Sequence, residues 1–209
     1  MAELIQQLID QGYLKTKEVI QAFKRINRQD FVLPEMQSES GENVPLSIGH
    51  GQTISQPLTV AFMIELLDVQ EGQKILDIGS GSGWTTALLS EIVGPKGKVF
   101  AIERIQELKD FGESNASKYN FIKSNRATFM VGDGTKGLPE QAPFDRIHVA
   151  AAANKIPSAL LKQLTIGGKL IVPQGINFHD IVLIEKTGED KYQREKFPGF
   201  SFVPLIGSD

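Results

Sequence analysis

The chain has 209 residues, 41% of them hydrophobic and 22% charged, a balance that belongs to a globular protein rather than to a disordered, fibrous or membrane-embedded one. A formal net charge of -3 offers no basic field for nucleic acid, and the lack of any cysteine excludes disulfides, thiolate zinc sites and a cysteine nucleophile together. The first residues, Met-Ala-Glu-Leu-Ile-Gln-Gln-Leu, carry an acid and no basic cluster, and no stretch approaches the ~20 apolar residues of a membrane span, so a cytoplasmic location is expected.

Leu4, Ile5, Leu8 and Ile9, then Val19, Ile20, Phe23 and Ile26, recur at spacings of three and four on either side of Gly12, which predicts two short amphipathic helices acting as an N-terminal cap. Phe31 to Pro34 should stop the second helix, and 37 to 43 reads as a polar, acidic loop and the least ordered stretch. From residue 73 short β-rich apolar runs alternate with helical patterns, the signature of βα units on a parallel sheet. Strands are expected at 74–78, 98–103, 127–131, 145–150 and 169–173, with helices at 84–93, 105–119 and 157–164. After Pro173 the segments 180–186 and 200–203 look strand-like with turns between them, which fits an antiparallel edge. The expected organisation is one domain over 1–209: cap and loop through 72, a βα core from 73 to 175, and C-terminal strands from 176.

The most informative segment is Ile75-Leu76-Asp77-Ile78-Gly79-Ser80-Gly81-Ser82-Gly83-Trp84, a strand that runs into three alternating glycines and then a helix. Such glycines allow a sharp backbone turn and let a nucleotide-like ligand approach main-chain amides. A dinucleotide site uses the spacing G-x-G-x-x-G, whereas here Trp84 stands next after the glycines at 79, 81 and 83. Asp77 would repel a diphosphate and could instead accept hydrogen bonds from a cationic amino acid moiety. Both features favour S-adenosylmethionine over a nicotinamide cofactor. Glu103, about twenty residues past the last glycine, is placed to take ribose hydroxyls, and Asp133, in Gly132-Asp133-Gly134, would lie along the same sheet edge near an adenine amine. His50 reads as a solvated loop residue, His148 as a core or sheet-face residue, and His179 as a turn residue without an identifiable partner.

The run Pro45-Leu46-Ser47-Ile48-Gly49-His50-Gly51-Gln52-Thr53-Ile54-Ser55-Gln56-Pro57 closely resembles the Pro-Leu-Pro-Ile-Gly-x-Gly-Gln-Thr-Ile-Ser-x-Pro loop of protein-L-isoaspartate O-methyltransferases. Further similarity follows in order: the glycine turn, where the family usually has Glu-Ile-Gly-Thr-Gly-Ser-Gly-Tyr, then Gly132-Asp133-Gly134, Pro143-Phe144-Asp145, Gly167-Gly168-Lys169-Leu170 and Phe202-Val203-Pro204-Leu205. The chain departs from the pattern at Gly41 and Asn43, near where the family carries an aromatic and an Asp, and at Ser47, where it carries a proline.

The resemblance implies an α/β, Rossmann-like S-adenosylmethionine-dependent methyltransferase fold whose product is S-adenosylhomocysteine, acting on isoaspartyl-containing proteins and peptides, with no nucleic acid or membrane partner and as a monomer. It gives Ser55 the role of active-site hydroxyl. Thr53, Ile54, Asp77, Gly79, Ser80, Gly81, Gly83, Glu103, Arg104, Asp133 and Gly134 fall to the cofactor, and Val203, Pro204 and Leu205 join Ser55 in holding the substrate. Read without the family, Ser55 is an N-cap for the helix through Met63 and Leu67. No metal cluster and no Ser-His-Asp order is recognisable, which suits a reaction whose nucleophile, a carboxylate with pKa near ~4, is already ionised at neutral pH. The alternatives are a methyltransferase for another carboxylate or a small molecule, a non-catalytic cofactor-binding module, and a nicotinamide oxidoreductase.

Overall fold

The computed structural model describes residues 1–207, so the last two residues of the expected C-terminal segment lie outside it. Two helices open the chain, α1 (Ala2–Asp10) and α2 (Lys17–Arg25), followed by 3₁₀ turns at Arg28–Phe31 and Pro34–Glu39. A short antiparallel hairpin of β1 (Leu46–Gly49) and β2 (Gln52–Ile54) precedes α3 (Pro57–Leu67). The βα core then runs β3 (Lys74–Ile78), α4 (Trp84–Val93), β4 (Lys98–Glu103), α5 (Gln106–Ser117), β5 (Ala127–Val131), β6 (Phe144–Val149) and α6 (Ser158–Lys162). Three long strands finish it: β7 (Leu164–Gly175), β8 (His179–Gly188) and β9 (Lys191–Phe200).

The main sheet has seven strands in the order β5-β4-β3-β6-β7-β8-β9, parallel from β5 through β7 and antiparallel in the last two pairings. The predicted mostly parallel sheet with an antiparallel C-terminal edge is therefore found. Successive strand residues face opposite sides: Val99 and Ala101 of β4 join the core beneath α2, α3, α4 and α5, while Phe100 and Ile102 join a second core beneath α6. Both faces of the sheet are covered, which is why β3 and β4 read as nearly continuous apolar runs.

The N-terminal cap seats on the first of these cores, with Phe23 of α2 edge-on to Trp84 at 5.6 Å between ring centroids. Its second helix is tied down by α3, since Glu65 accepts hydrogen bonds from the Lys15 and Thr16 amides (2.8 and 2.9 Å) and from the Thr16 hydroxyl (2.7 Å). These bonds fix the two residues that lead into α2, whose N-cap Thr16 makes no side-chain cap of its own.

Three expectations are corrected. Helix α2 ends at Arg25, before Phe31, because Asn27 goes extended and its side chain caps the following 3₁₀ turn at Gln29. The 37–43 stretch is no open loop: Ser40 is 6% exposed and its hydroxyl donates to the Gln37 carbonyl at 2.7 Å. The last strand covers 191–200 instead of 200–203; its exposed Lys191, Gln193, Glu195 and Lys196 conceal it from a search for apolar alternation.

Candidate functional site

At the C-terminal ends of β3, β4 and β5 the chain makes a cavity around the glycine turn. Gly79, Gly81 and Gly83 adopt φ of +77°, +51° and +86°, a left-handed region that only glycine enters without strain. The turn is locked from below by Glu103, which is 6% exposed. One carboxylate oxygen accepts from the Gly81 amide at 2.9 Å, and the other from the Arg104 and Ile105 amides at 2.8 and 3.1 Å. Three main-chain donors thus fix its orientation, and the oxygen that meets the Gly81 amide keeps a lone pair free.

Most of the residues assigned to the cofactor meet here. Thr53, Ile54, Gly79, Ser80, Gly81, Glu103, Arg104 and Gly134 all line the cavity, as do Ser55, Val203, Pro204 and Leu205. The hydroxyl of Ser80 is buried in its wall without a hydrogen-bond partner among the described residues. Such a group costs free energy unless a ligand or solvent satisfies it.

Three assigned residues do not line it. Asp77 is fully buried: one oxygen accepts from the Thr86 hydroxyl at 2.5 Å and the other lies 2.8 Å from His148 Nδ1. It shares its strand face with Ile75, beneath α4, and its carboxylate ties α4 and β6 to β3 without lining the cavity. Gly83 lies behind the turn, packed on Gly112 of α5. Asp133 accepts from the amide and hydroxyl of Thr135 at 2.9 and 2.6 Å, capping the next 3₁₀ turn, and it is the flanking Gly132 and Gly134 that reach the cavity.

A second cleft opens beside the first, lined by Tyr13, Phe62, Phe197, Phe200 and Phe202 among others and by no charged residue. The two share Thr53, Ser55, Ala150 and Val203, so Ser55 stands where they join. Its hydroxyl makes no hydrogen bond within the described residues, and α3 is capped differently: its N-cap is Gln56 and the Leu58 amide donates to Asn43 Oδ1 at 3.0 Å. Ser55 as an N-cap is thereby corrected. The C-terminal segment reaches the junction through main-chain bonds, Ala152 N–H to Val203 C=O and Leu205 N–H to Ala152 C=O, both 2.8 Å. His179, for which no partner was expected, is buried and accepts from the Phe202 amide at 3.1 Å, fixing the approach of that segment. His50 is exposed at the β1–β2 turn and His148 is in the core, as read from the sequence.

The chain matches the model of the protein-L-isoaspartate(D-aspartate) O-methyltransferase family over residues 1–209. It belongs to that family. It is 42% identical over 207 residues to the protein-L-isoaspartate O-methyltransferase of Methanopyrus kandleri, covering 99% of this chain and 91% of that one. The Ignicoccus hospitalis enzyme of the same name is 44% identical, with 98% and 96% covered. Among solved structures, one described as a protein-L-isoaspartate O-methyltransferase superposes with a TM-score of 0.88 at 26% identity over 99% of this chain and 66% of that one. A Plasmodium falciparum chain described in the same way and bound to S-adenosyl-L-homocysteine has the same fold, with a TM-score of 0.87 at 24% identity over 98% and 97%.

Within this isoaspartate methyltransferase chain, the departing position Asn43 has a visible task. Besides capping Leu58, its carbonyl accepts from the Gln56 side chain at 2.9 Å, so loop 40–44 is clamped to the segment carrying Ser55. Arg28, which the sequence reading did not single out, completes the clamp. Its guanidinium is wholly buried and donates to the carbonyls of Ser40, Glu42, Val44 and Ser55 at 3.2, 3.2, 2.7 and 3.2 Å. Among the described residues no group of histidine, cysteine and carboxylate side chains is arranged to hold a metal, and no helix is long and apolar enough to cross a membrane.

Proposed function

We propose that the chain transfers a methyl group from S-adenosylmethionine to the free carboxylate of L-isoaspartyl residues in damaged proteins and peptides. The observation that carries this reading is Ser55, standing with an unused hydroxyl at the junction of a glycine-turn cavity and an uncharged, aromatic-lined cleft. The first cavity suits the donor. Glu103 offers fixed acceptors to ribose hydroxyls, the turn at Gly79 and Gly81 exposes main-chain amides, and Ser80 brings a buried hydroxyl in want of a partner. S-adenosylmethionine, when bound, supplies an electrophilic methyl carbon on a sulfonium.

The acceptor needs no base, since a carboxylate is ionised at neutral pH, and neither a histidine nor a carboxylate side chain lines the second cleft. What this chain must do is hold the carboxylate and keep water away. Ser55 donates one hydrogen bond to the acceptor carboxylate and orients it, Val203 to Leu205 hold the peptide backbone, and the aromatic walls exclude solvent. Asp77 and Asp133 take structural parts in this scheme, and the whole chain works as one methyltransferase domain, monomeric and cytoplasmic, without nucleic acid or membrane.

Tritiated S-adenosylmethionine with two peptides that differ only in aspartyl or isoaspartyl linkage tests the proposal. Base-labile label on the isoaspartyl peptide alone is the expected result, and label on neither peptide, or equally on both, rejects it. The donor half is checked separately by Glu103→Gln. Glutamine cannot accept from all three amides at once, so affinity for S-adenosylhomocysteine should fall about ten- to hundredfold, the weight of one or two charge-assisted hydrogen bonds. Trp84, the sole tryptophan and part of the cavity wall, reports binding by fluorescence. Wild-type affinity in Glu103→Gln would remove the carboxylate from the donor site.

A further inference from the structure

Arg28 is an expensive residue to bury. Its four partners are all main-chain carbonyls, so the charge enters the protein interior with dipoles but no counter-charge among the groups it bonds. Burial lowers its pKa to about 10, which leaves it protonated at neutral pH. Desolvating such a cation is costly, and the loss is recovered only through well-aligned acceptors.

The carbonyls it gathers come from two separate stretches. Three belong to 40–44, and the fourth is that of Ser55 itself. The guanidinium also lies over the Trp84 ring, 5.4 Å from its centroid, and Trp84 lines the donor cavity. The arginine is held in turn: the Tyr119 hydroxyl donates to Asp30 at 2.5 Å and accepts from the Asn27 amide at 2.9 Å, pinning the 3₁₀ turn on which Arg28 sits to the turn that follows α5. A single rigid cation therefore sets the Ser55 peptide against the glycine-turn wall.

We propose that Arg28 is a positioning residue for methyl transfer, acting through the Ser55 main chain to set the hydroxyl at the junction of the two clefts. It lines neither cleft. Ser55 carries its side chain on the peptide that Arg28 holds, so a change in that peptide moves the hydroxyl directly, and a displacement of about an ångström is enough to cost on the order of a hundredfold in rate. Donor binding rests on Glu103 and the glycine turn, which Arg28 does not bond.

This inference rests on the function proposed above, and the test separates the two. Turnover on the isoaspartyl peptide and affinity for S-adenosylhomocysteine are measured for wild type, Arg28→Met, Arg28→Lys, Ser55→Ala and the Arg28→Met/Ser55→Ala double variant, well below each melting temperature. Arg28→Met should lose about ten- to hundredfold in kcat with S-adenosylhomocysteine affinity within about threefold of wild type. Lysine, which keeps the charge but cannot span four carbonyls, should recover only part of the loss.

The decisive readout is the double variant. If Arg28 acts through Ser55, its removal should cost less than about threefold once the hydroxyl is gone, a non-additivity that general destabilisation does not produce. Multiplicative losses, or a kcat for Arg28→Met within twofold of wild type, overturn the role. Should Arg28→Met fail to fold, Arg28→Lys decides by the same cycle, and wild-type kcat in it overturns the role equally. A wild-type chain that labels neither peptide rejects the function and the role together.

Discussion

Gly83→Ala should lower the unfolding free energy by about 3 kcal/mol and weaken donor binding at least tenfold, although Gly83 does not line the donor cavity. Two costs combine. At φ +86° any Cβ strains the backbone by about 1–2 kcal/mol. A Cβ here would also sit 2.6 Å from the Gly112 carbonyl oxygen and 3.0 Å from its Cα, inside the contact between the turn and α5. Backbone cannot step aside as a side-chain tip can, so overpacking adds about 1–3 kcal/mol and the turn must shift. Gly72 provides the control: at φ +82° with nothing within 4 Å of its would-be Cβ, Gly72→Ala carries the strain alone. Urea unfolding of both variants and titration with S-adenosylhomocysteine check the difference. Equal stability losses at the two glycines would show that the close approach to Gly112 is not what requires glycine.

Ser55→Ala should lower turnover about ten- to hundredfold while donor affinity stays within a few-fold, the weight of one hydrogen bond to a charged oxygen felt only once the acceptor is in place. The fold should scarcely notice, because the hydroxyl makes no hydrogen bond within the described residues and the start of α3 is capped by Asn43. Single-turnover methylation of the isoaspartyl peptide separates the two quantities. Unchanged turnover would strike Ser55 from the mechanism and leave positioning to the main chain of 203–205.

What could be read from the residues follows where each element lies. Strands β3, β4 and β5 are found at the expected bounds because both faces are covered and their apolar runs end in turn residues. Strand β9 was displaced by about a decade of residues because most of its residues are exposed and it carries no apolar alternation. The place of the glycine turn and Glu103 in the cavity wall was legible, since glycine spacing and an acid at a strand end are local signals. Asp77 was not. A carboxylate beside a glycine turn reads the same whether it faces the crevice or the core, and only its pairing with Thr86 and His148 shows that it faces the core. Arg28 and His179 were hidden for a related reason: their partners are main-chain groups 12 to 27 residues away, which leave no mark on side-chain patterns.

The open side of β9 bears on how such a protein survives its own clientele. A chain that handles damaged, partly extended polypeptides continually meets strands seeking a free ladder, and an apolar sheet margin would template fibres with them. This margin instead presents Lys191, Arg194, Glu195 and Lys196 to solvent and reaches Pro198 near its end, a residue with no amide hydrogen to offer. Such a border would give an extended client no apolar ladder to join, and under the function proposed above the cleft beside Ser55 is where the segment would settle.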